Sequence, residues 1–173
     1  MLQRILVPVD GSTQSMKAVD LASDLALKFD AELTLLHVLL RGHMPEGLQR
    51  ALAVEVGRRS GSSSEYLVNL PQEIMARVDD KRRTQFTVDE LKFIGEHLLS
   101  KAMQACRDKG LERVQERVEE GYAAEVILDV ANDSKAELIV IGSRGLGRLG
   151  QMLMGSVSNK VVHLASCPVT VVK

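Results

Sequence analysis

The sequence predicts an α/β fold, an open and doubly wound parallel sheet with helices on both faces. Three observations lead there. Short apolar runs rich in β-branched residues alternate with amphipathic segments at helical spacing, as strands joined by crossover helices do. The runs are apolar without clean alternation, which suits strands buried on both faces. Right-handed crossovers then force the chain to wind in both directions from the middle of the sheet. The 173 residues fit one domain, 1–173, with room for a real core.

Each element has its own justification. Arg4–Val9, RILVPV, is an apolar strand that ends at the turn signal Asp10-Gly11-Ser12. Ala18, Leu21, Ala22, Leu25, Ala26 and Phe29 then recur on one helical face, and Ser12 or Thr13 can cap its start. Glu32–Leu39, ELTLLHVL, is a second strand. A long irregular stretch at about 41–86 follows, with GRRSGSSSEY at its centre, and reads as an insertion. Thr87 with Glu90 has capping-box spacing, and the helix they open ends near Lys109-Gly110. Val114–Val118 is the third strand, Ala123–Ala131 a helix, and Leu138–Ile141 the fourth strand. Val157, Val161 and Leu164 mark the last helix, and Pro168–Val172 the fifth strand.

Composition narrows the function classes. A net charge of −1 gives no bulk attraction to nucleic acid or to an anionic membrane. Aromatic residues are 3% with no Trp, which argues against a platform for stacking single-stranded bases. Cys106 and Cys167 belong to no ligand pattern and read as reduced, packed thiols. No apolar run approaches the roughly 20 residues that span a bilayer, and the N-terminus enters a strand at once, so a cytoplasmic location is expected. His37 reads as a packed strand residue, and His43, His97 and His163 pair with no Cys or carboxylate at ligand spacing. The run Asp79–Arg83 reads as a solvated surface, or as an arm that touches phosphates.

The chemistry concentrates after the fourth strand. GSRGLGRLGQMLMGS, Gly142 to Ser156, holds five of the 13 glycines yet lacks the P-loop pattern G-x-x-x-x-G-K-[ST]. Glycines let main-chain N–H groups approach a ligand and form an anion nest. Gly155-Ser156 opens a helix whose first N–H groups are unpaired and favour phosphate. Ser156 and Ser158 add hydroxyls, and Arg144 and Arg148 supply positive charge without a lysine. Two readings stand side by side: a phosphate cradle, or a tight connection capped by Ser156. The strand before, the helix after and Asp10 facing the loop favour the cradle. If the strand order is 3-2-1-4-5, strands one and four are neighbours and their loops face each other across the crevice where such sheets bind ligands. Asp10 is then a turn residue, an acceptor for a ribose hydroxyl, or a metal ligand. Val38, ending strand two, is core, or offers its main-chain N–H and C=O to an adenine edge.

These residues resemble the universal stress protein family, in its ATP-binding subgroup. The resemblance runs through RILVPVDGS, LTLLHV, EEGYAAEVI and ELIVIGSRG to GSVSNKVVHLASCPVTVVK, nearly everything but the insertion. The family signature G-x2-G-x9-G-[ST] is met without a gap by Gly142, Gly145, Gly155 and Ser156. The resemblance implies a Rossmann-like, adenine nucleotide alpha hydrolase-like fold with five parallel strands in the order 3-2-1-4-5. It implies that Pro8 and Asp10 flank the adenosine, that Val38 holds the adenine through its backbone, and that Ile141 and Gly142 touch the nucleoside. Arg144, Gly145, Gly155, Ser156, Val157 and Ser158 would surround the phosphates, with Mg²⁺ or Mn²⁺ bridging phosphate oxygens. It also implies a homodimer through the last strand, Val169–Val172, whose β-branched edge suits pairing.

Two functions are compatible with this pattern. The first is a regulator of the stress response that binds ATP, or AMP, and acts as a homodimer. The second is an enzyme on the same fold, a slow ATPase or a nucleotidyl- or phosphoryl-transferring relative. The S-G-G-x-D-S loop of pyrophosphatase-type relatives and the HxGH string of nucleotidyltransferases are both missing, which favours the first. Weak hydrolysis needs only a metal and an ordered water.

Overall fold

The computed structural model describes residues 1–39, 88–145 and 154–173. The expected insertion at 41–86, Thr87 of the expected capping box, and the loop between Gly145 and Met154 with Arg148 lie outside the described residues. In chain order the described elements are β1 (Arg4–Pro8), α1 (Thr13–Phe29), β2 (Glu32–Leu39), α2 (Val88–Asp108), β3 (Val114–Glu120), α3 (Ala123–Asp133), β4 (Leu138–Gly142), α4 (Ser156–Leu164) and β5 (Val169–Val172). The five strands form one parallel sheet in the order β3-β2-β1-β4-β5. This is the order that the resemblance implied, and expected strand ends agree within two residues.

Side chains alternate across the sheet and build two cores. On one face Ile5, Val7 and Val9 of the β1 segment, Leu33 and Leu35 of β2, and Val140 of β4 pack with α1 and α2. On the other, Leu6, Leu36, Ile139 and Ile141 pack with Ala124, Ile127 and Val130 of α3 and Val161 of α4. Leu6, Leu33, Leu35 and Leu36 are fully buried. Each such side chain stabilises the fold by about 1.5–3 kcal/mol relative to exposure. Burial on both faces is why the inner strands lack a polar alternation. The edge strands differ in kind. β3 reads VQERVEE and carries an Arg117–Glu119 ion pair, whereas β5 reads VTVV and is half-buried along its length. No described helix is long and apolar enough to cross a membrane.

The sheet opens at its carboxyl end. β1 pairs with β2 from Arg4↔Glu32 through Pro8↔Leu36, but with β4 only at Ile5↔Leu138 and Leu6↔Ile139. Val9 N–H donates to the Leu36 carbonyl at 2.8 Å, so in a strand the nitrogen of Pro8 faces the β4 side. Proline has no N–H to donate, and it stands where the β1–β4 ladder has already ended.

His37 fastens the neighbouring turn. Its Nδ1 lies 2.7 Å from the Val9 carbonyl. A carbonyl only accepts, so the bond requires Nδ1–H. The ring packs on α2, where a Cβ at Gly95 would lie 2.5 Å from His37 Cδ2. Burial lowers the His37 pKa below 6.5, opposed by the Val9 bond and by Asp10. The folded chain therefore takes up this proton less readily than the unfolded chain. Stability is full above pH 6.5 and falls as pH drops through 6.5 toward the lower folded value. His97 adds a contribution of the same sign, lowered by burial and by Lys101. Urea unfolding from about pH 7 to 5 should show a midpoint falling with pH. His37→Asn, which keeps a donor for Val9, should fall less steeply, and an equal slope would contradict the assignment.

Candidate functional site

The site is built where β1 and β4 part. Gly11 turns the chain at φ 81°, a left-handed conformation, and a Cβ there would meet Leu98 Cδ2 of α2 at 2.7 Å. Ser12 then starts α1, its hydroxyl accepting from Ser15 N–H at 3.1 Å. The same hydroxyl donates to Asp10 Oδ1 at 2.6 Å, with the Arg144 carbonyl at 3.3 Å. Ser12 N–H also donates to Asp10 Oδ1, at 3.0 Å. Asp10 is thus locked into an Asx-type turn, and Ser12 reaches across the crevice to the loop after β4.

That loop comes very close. A Cβ at Gly145 would overlap Asp10 Oδ2. A Cβ at Gly142 would lie 2.8 Å from Gln14 C and 2.9 Å from Ser15 N, main-chain atoms of the first turn of α1. Gly142 is therefore already required by main-chain packing, whereas at Gly145 the obstacle is the end of the Asp10 side chain. At Gly155 a Cβ would have its nearest neighbours at 3.6 Å, ordinary contact, and the backbone is extended at φ −74° and ψ 162°. Among the described residues nothing demands glycine there.

Ser143 gathers the ends of the glycine loop. Its N–H donates to the Val172 carbonyl at 2.6 Å, and its carbonyl accepts from Gly155 N–H at 2.7 Å. The buried Ser158 hydroxyl has two acceptors in reach, the Ser143 carbonyl at 2.9 Å and the Gly155 carbonyl at 3.0 Å. A hydroxyl has one proton, and both of these are main-chain oxygens. Ser158 therefore faces the site with its N–H rather than its side chain.

The two helix N-termini at the crevice differ. Ser12 caps α1, whereas Gly155 supplies no side-chain cap to α4. The first intrahelical bond of α4 runs from Asn159 N–H to the Gly155 carbonyl at 2.9 Å. By helix geometry the N–H groups of Ser156, Val157 and Ser158 have no partner within the helix. Three donors on one half-positive terminus form a place for an anion.

Most sequence-predicted residues meet here. Asp10, Arg144 through its carbonyl, and Gly145 join across the crevice, and Gly155 to Ser158 form the terminus of α4. Pro8 is half-buried where the ladder opens. Val38 and Val157, both partly buried, pack on the core cluster that contains Ile141, on the α3–α4 face. Gly142 is set apart by its role, since it faces the first turn of α1. Ser12 and Ser143 were missed by the sequence reading. The Asp10-Gly11-Ser12 turn signal was available for Ser12, but its bond to Arg144 spans 132 residues, and the bonds of Ser143 are made by its main chain. Among the described residues no group of three or more His, Cys, Asp or Glu could hold a metal ion.

Comparison with known proteins places this geometry. The model of the Universal stress protein family matches residues 1–173. Universal stress protein YxiE of Bacillus subtilis is 34% identical over 173 residues, covering 100% of both chains. Two solved structures share the fold. A universal stress protein in complex with cAMP matches with TM-score 0.59 at 22% identity, covering 99% of this chain and 96% of its own. The universal stress protein from Archaeoglobus fulgidus in complex with dAMP matches with TM-score 0.61 at 18% identity, covering 100% and 98%.

The glycine geometry gives a direct contrast. Gly142→Ala drives a methyl group into main-chain atoms of α1 and should cost about 1–3 kcal/mol, as overpacking does. Gly155→Ala should melt within a degree or two of wild type, because a half-buried position that no described residue crowds takes a methyl group at roughly 0.5 kcal/mol or less. Thermal denaturation of the two variants side by side checks this, and equal losses would refute it.

Proposed function

The chain belongs to the universal stress protein family, and from that premise we propose that it binds ATP in the crevice between β1 and β4 and acts as a nucleotide-dependent regulator. The observation that carries the reading is the N-terminus of α4, without a side-chain cap from Gly155 and bonded to Ser143 of the loop whose Gly145 closes on Asp10. The N–H groups of Ser156, Val157 and Ser158 would receive the phosphates, with Arg144 and Gly145 at their side. Asp10, held by two Ser12 bonds to Oδ1, would accept from a ribose hydroxyl beside Pro8. Val38 would hold the adenine edge through its main chain, and Ile141 and Gly142 would line the nucleoside. Gly155 supports the reading in a different way: no described residue crowds a side chain there, and a glycine leaves room for a ligand to approach. Mg²⁺ or Mn²⁺ would be held mainly by phosphate oxygens and would neutralise their charge.

The regulatory half of the proposal is a homodimer through β5. The two edges of the sheet support it. β3 is lined with charge, a device that discourages edge pairing, whereas β5 offers Val169, Thr170, Val171 and Val172. Val162 and Leu164 of the adjacent α4 are exposed and extend the apolar surface.

Calorimetry should show wild type binding ATP with Mg²⁺, with AMP as a weaker or competing ligand. Gly155→Val should lose binding by tenfold or more while keeping its fold by circular dichroism. A wild type that takes up no adenine nucleotide would sink the reading. A turnover assay on the same sample separates a binder from a slow ATPase. The dimer is tested by light scattering, which should give twice the chain mass at micromolar concentration. Val171→Pro, which removes a donor on the free edge of β5 and leaves the β4 ladder intact, should shift the protein toward monomer.

A further inference from the structure

Beyond its phosphate end the crevice has an apolar end that the glycine signature does not explain. Val38 at the end of β2, Val126 in the first turn of α3 and Val157 in the first turn of α4 pack partly buried on one core cluster with Ile141. Each leaves part of its surface open at the carboxyl edge of the sheet. The first turn of α3 is pressed onto that edge, since a Cβ at Gly121 would lie 2.8 Å from Val126 Cγ2. Gly121 N–H donates to the Leu39 carbonyl at 3.0 Å, which sets this turn beside the end of β2. An ion pair from Lys160 of α4 to Glu125 of α3, at 2.9 Å, spans the two helices next to the same turn. Tyr122, the N-cap residue of α3, makes no side-chain cap bond and is 77% exposed.

We infer that the first turn of α3 is the base-facing wall of the crevice, with Val126 beneath an adenine ring and the Tyr122 ring stacked over its outer edge. The inference rests on the nucleotide reading and adds two residues outside the binding motif. A neutral planar base needs apolar walls and a few polar contacts. The three valines supply the walls, and the end of β2 supplies the main-chain groups. Tyr122 directly follows Gly121, whose N–H is bonded to the Leu39 carbonyl at the end of β2. An aromatic face over a base is a sequence-tolerant contact, and its loss costs about tenfold in affinity. The phosphates would meet the N–H groups that open α4 and the base the valine side chains, so the two halves of the ligand meet chemically opposite surfaces.

The chain has two tyrosines, Tyr66 and Tyr122, and no Trp. In Tyr66→Phe the intrinsic emission therefore reports Tyr122 alone. ATP should quench it, after correction for nucleotide absorbance, along the same isotherm that calorimetry records. Tyr122→Ala should weaken ATP about tenfold with an unchanged melting temperature, and Tyr122→Phe should restore wild-type affinity. ATP binding with Tyr122 emission unmoved, or with equal affinity in Tyr122→Ala, would overturn the inference and leave the nucleotide reading standing. Wild type without ATP binding would overturn both.

Discussion

β1 and β4 stop pairing after Leu6↔Ile139, while β1 stays bonded to β2 as far as Pro8. Everything at the carboxyl edge depends on that separation. It gives room for the turn at Asp10 on one side and for the loop of Ser143 to Gly145 on the other. It also explains why proline is acceptable at the end of a central strand. The gap is bridged by side chain and backbone in place of a ladder. Ser12 spans it to the Arg144 carbonyl, and Gly145 closes on Asp10. The strands that flank the crevice are fixed by the buried cores on both faces.

The two helices that open onto this crevice are prepared differently. α1 is sealed by its own Ser12, and that serine also orients Asp10. α4 begins at Gly155 without a side-chain cap, and Ser143 binds its first residues to the end of β4. An unfilled terminus costs a protein the hydrogen bonds that a cap would supply, up to about 1–2 kcal/mol. The cost is tolerable where a ligand takes the place of the cap. In the proposed nucleotide complex the end of α1 would serve the ribose and the end of α4 the phosphates.

Much of the site was legible because its residues are local in sequence. Asp10-Gly11-Ser12 is a turn signal wherever it occurs, and Gly155-Ser156 before an apolar helix face is a helix start. Other features were not legible, for physical reasons. Gly142 and Gly145 looked like glycines that admit a ligand, yet their nearest obstacles are Gln14, Ser15 and Asp10. Nothing in a linear string shows which distant main-chain atoms will crowd a Cβ. Ser158 looked like a phosphate donor until the carbonyls of Ser143 and Gly155 appeared around its hydroxyl. His37 looked like packing and is packed, but its bond to Val9 makes it a support for the turn that carries Asp10.

The sequence by itself determined the alternation of strands and helices, the two buried faces of the inner strands, and the spacing of Gly142, Gly145, Gly155 and Ser156. These follow from hydrophobic period and turn chemistry, which act over a few residues. Only the tertiary structure decided how far β1 and β4 stay paired, which hydroxyls face inward, and which described residues close on the helix termini. Those outcomes depend on contacts between residues over a hundred positions apart, such as Ser12 with Arg144. Distance and direction, which no periodicity encodes, select among the partners that a polar group could take.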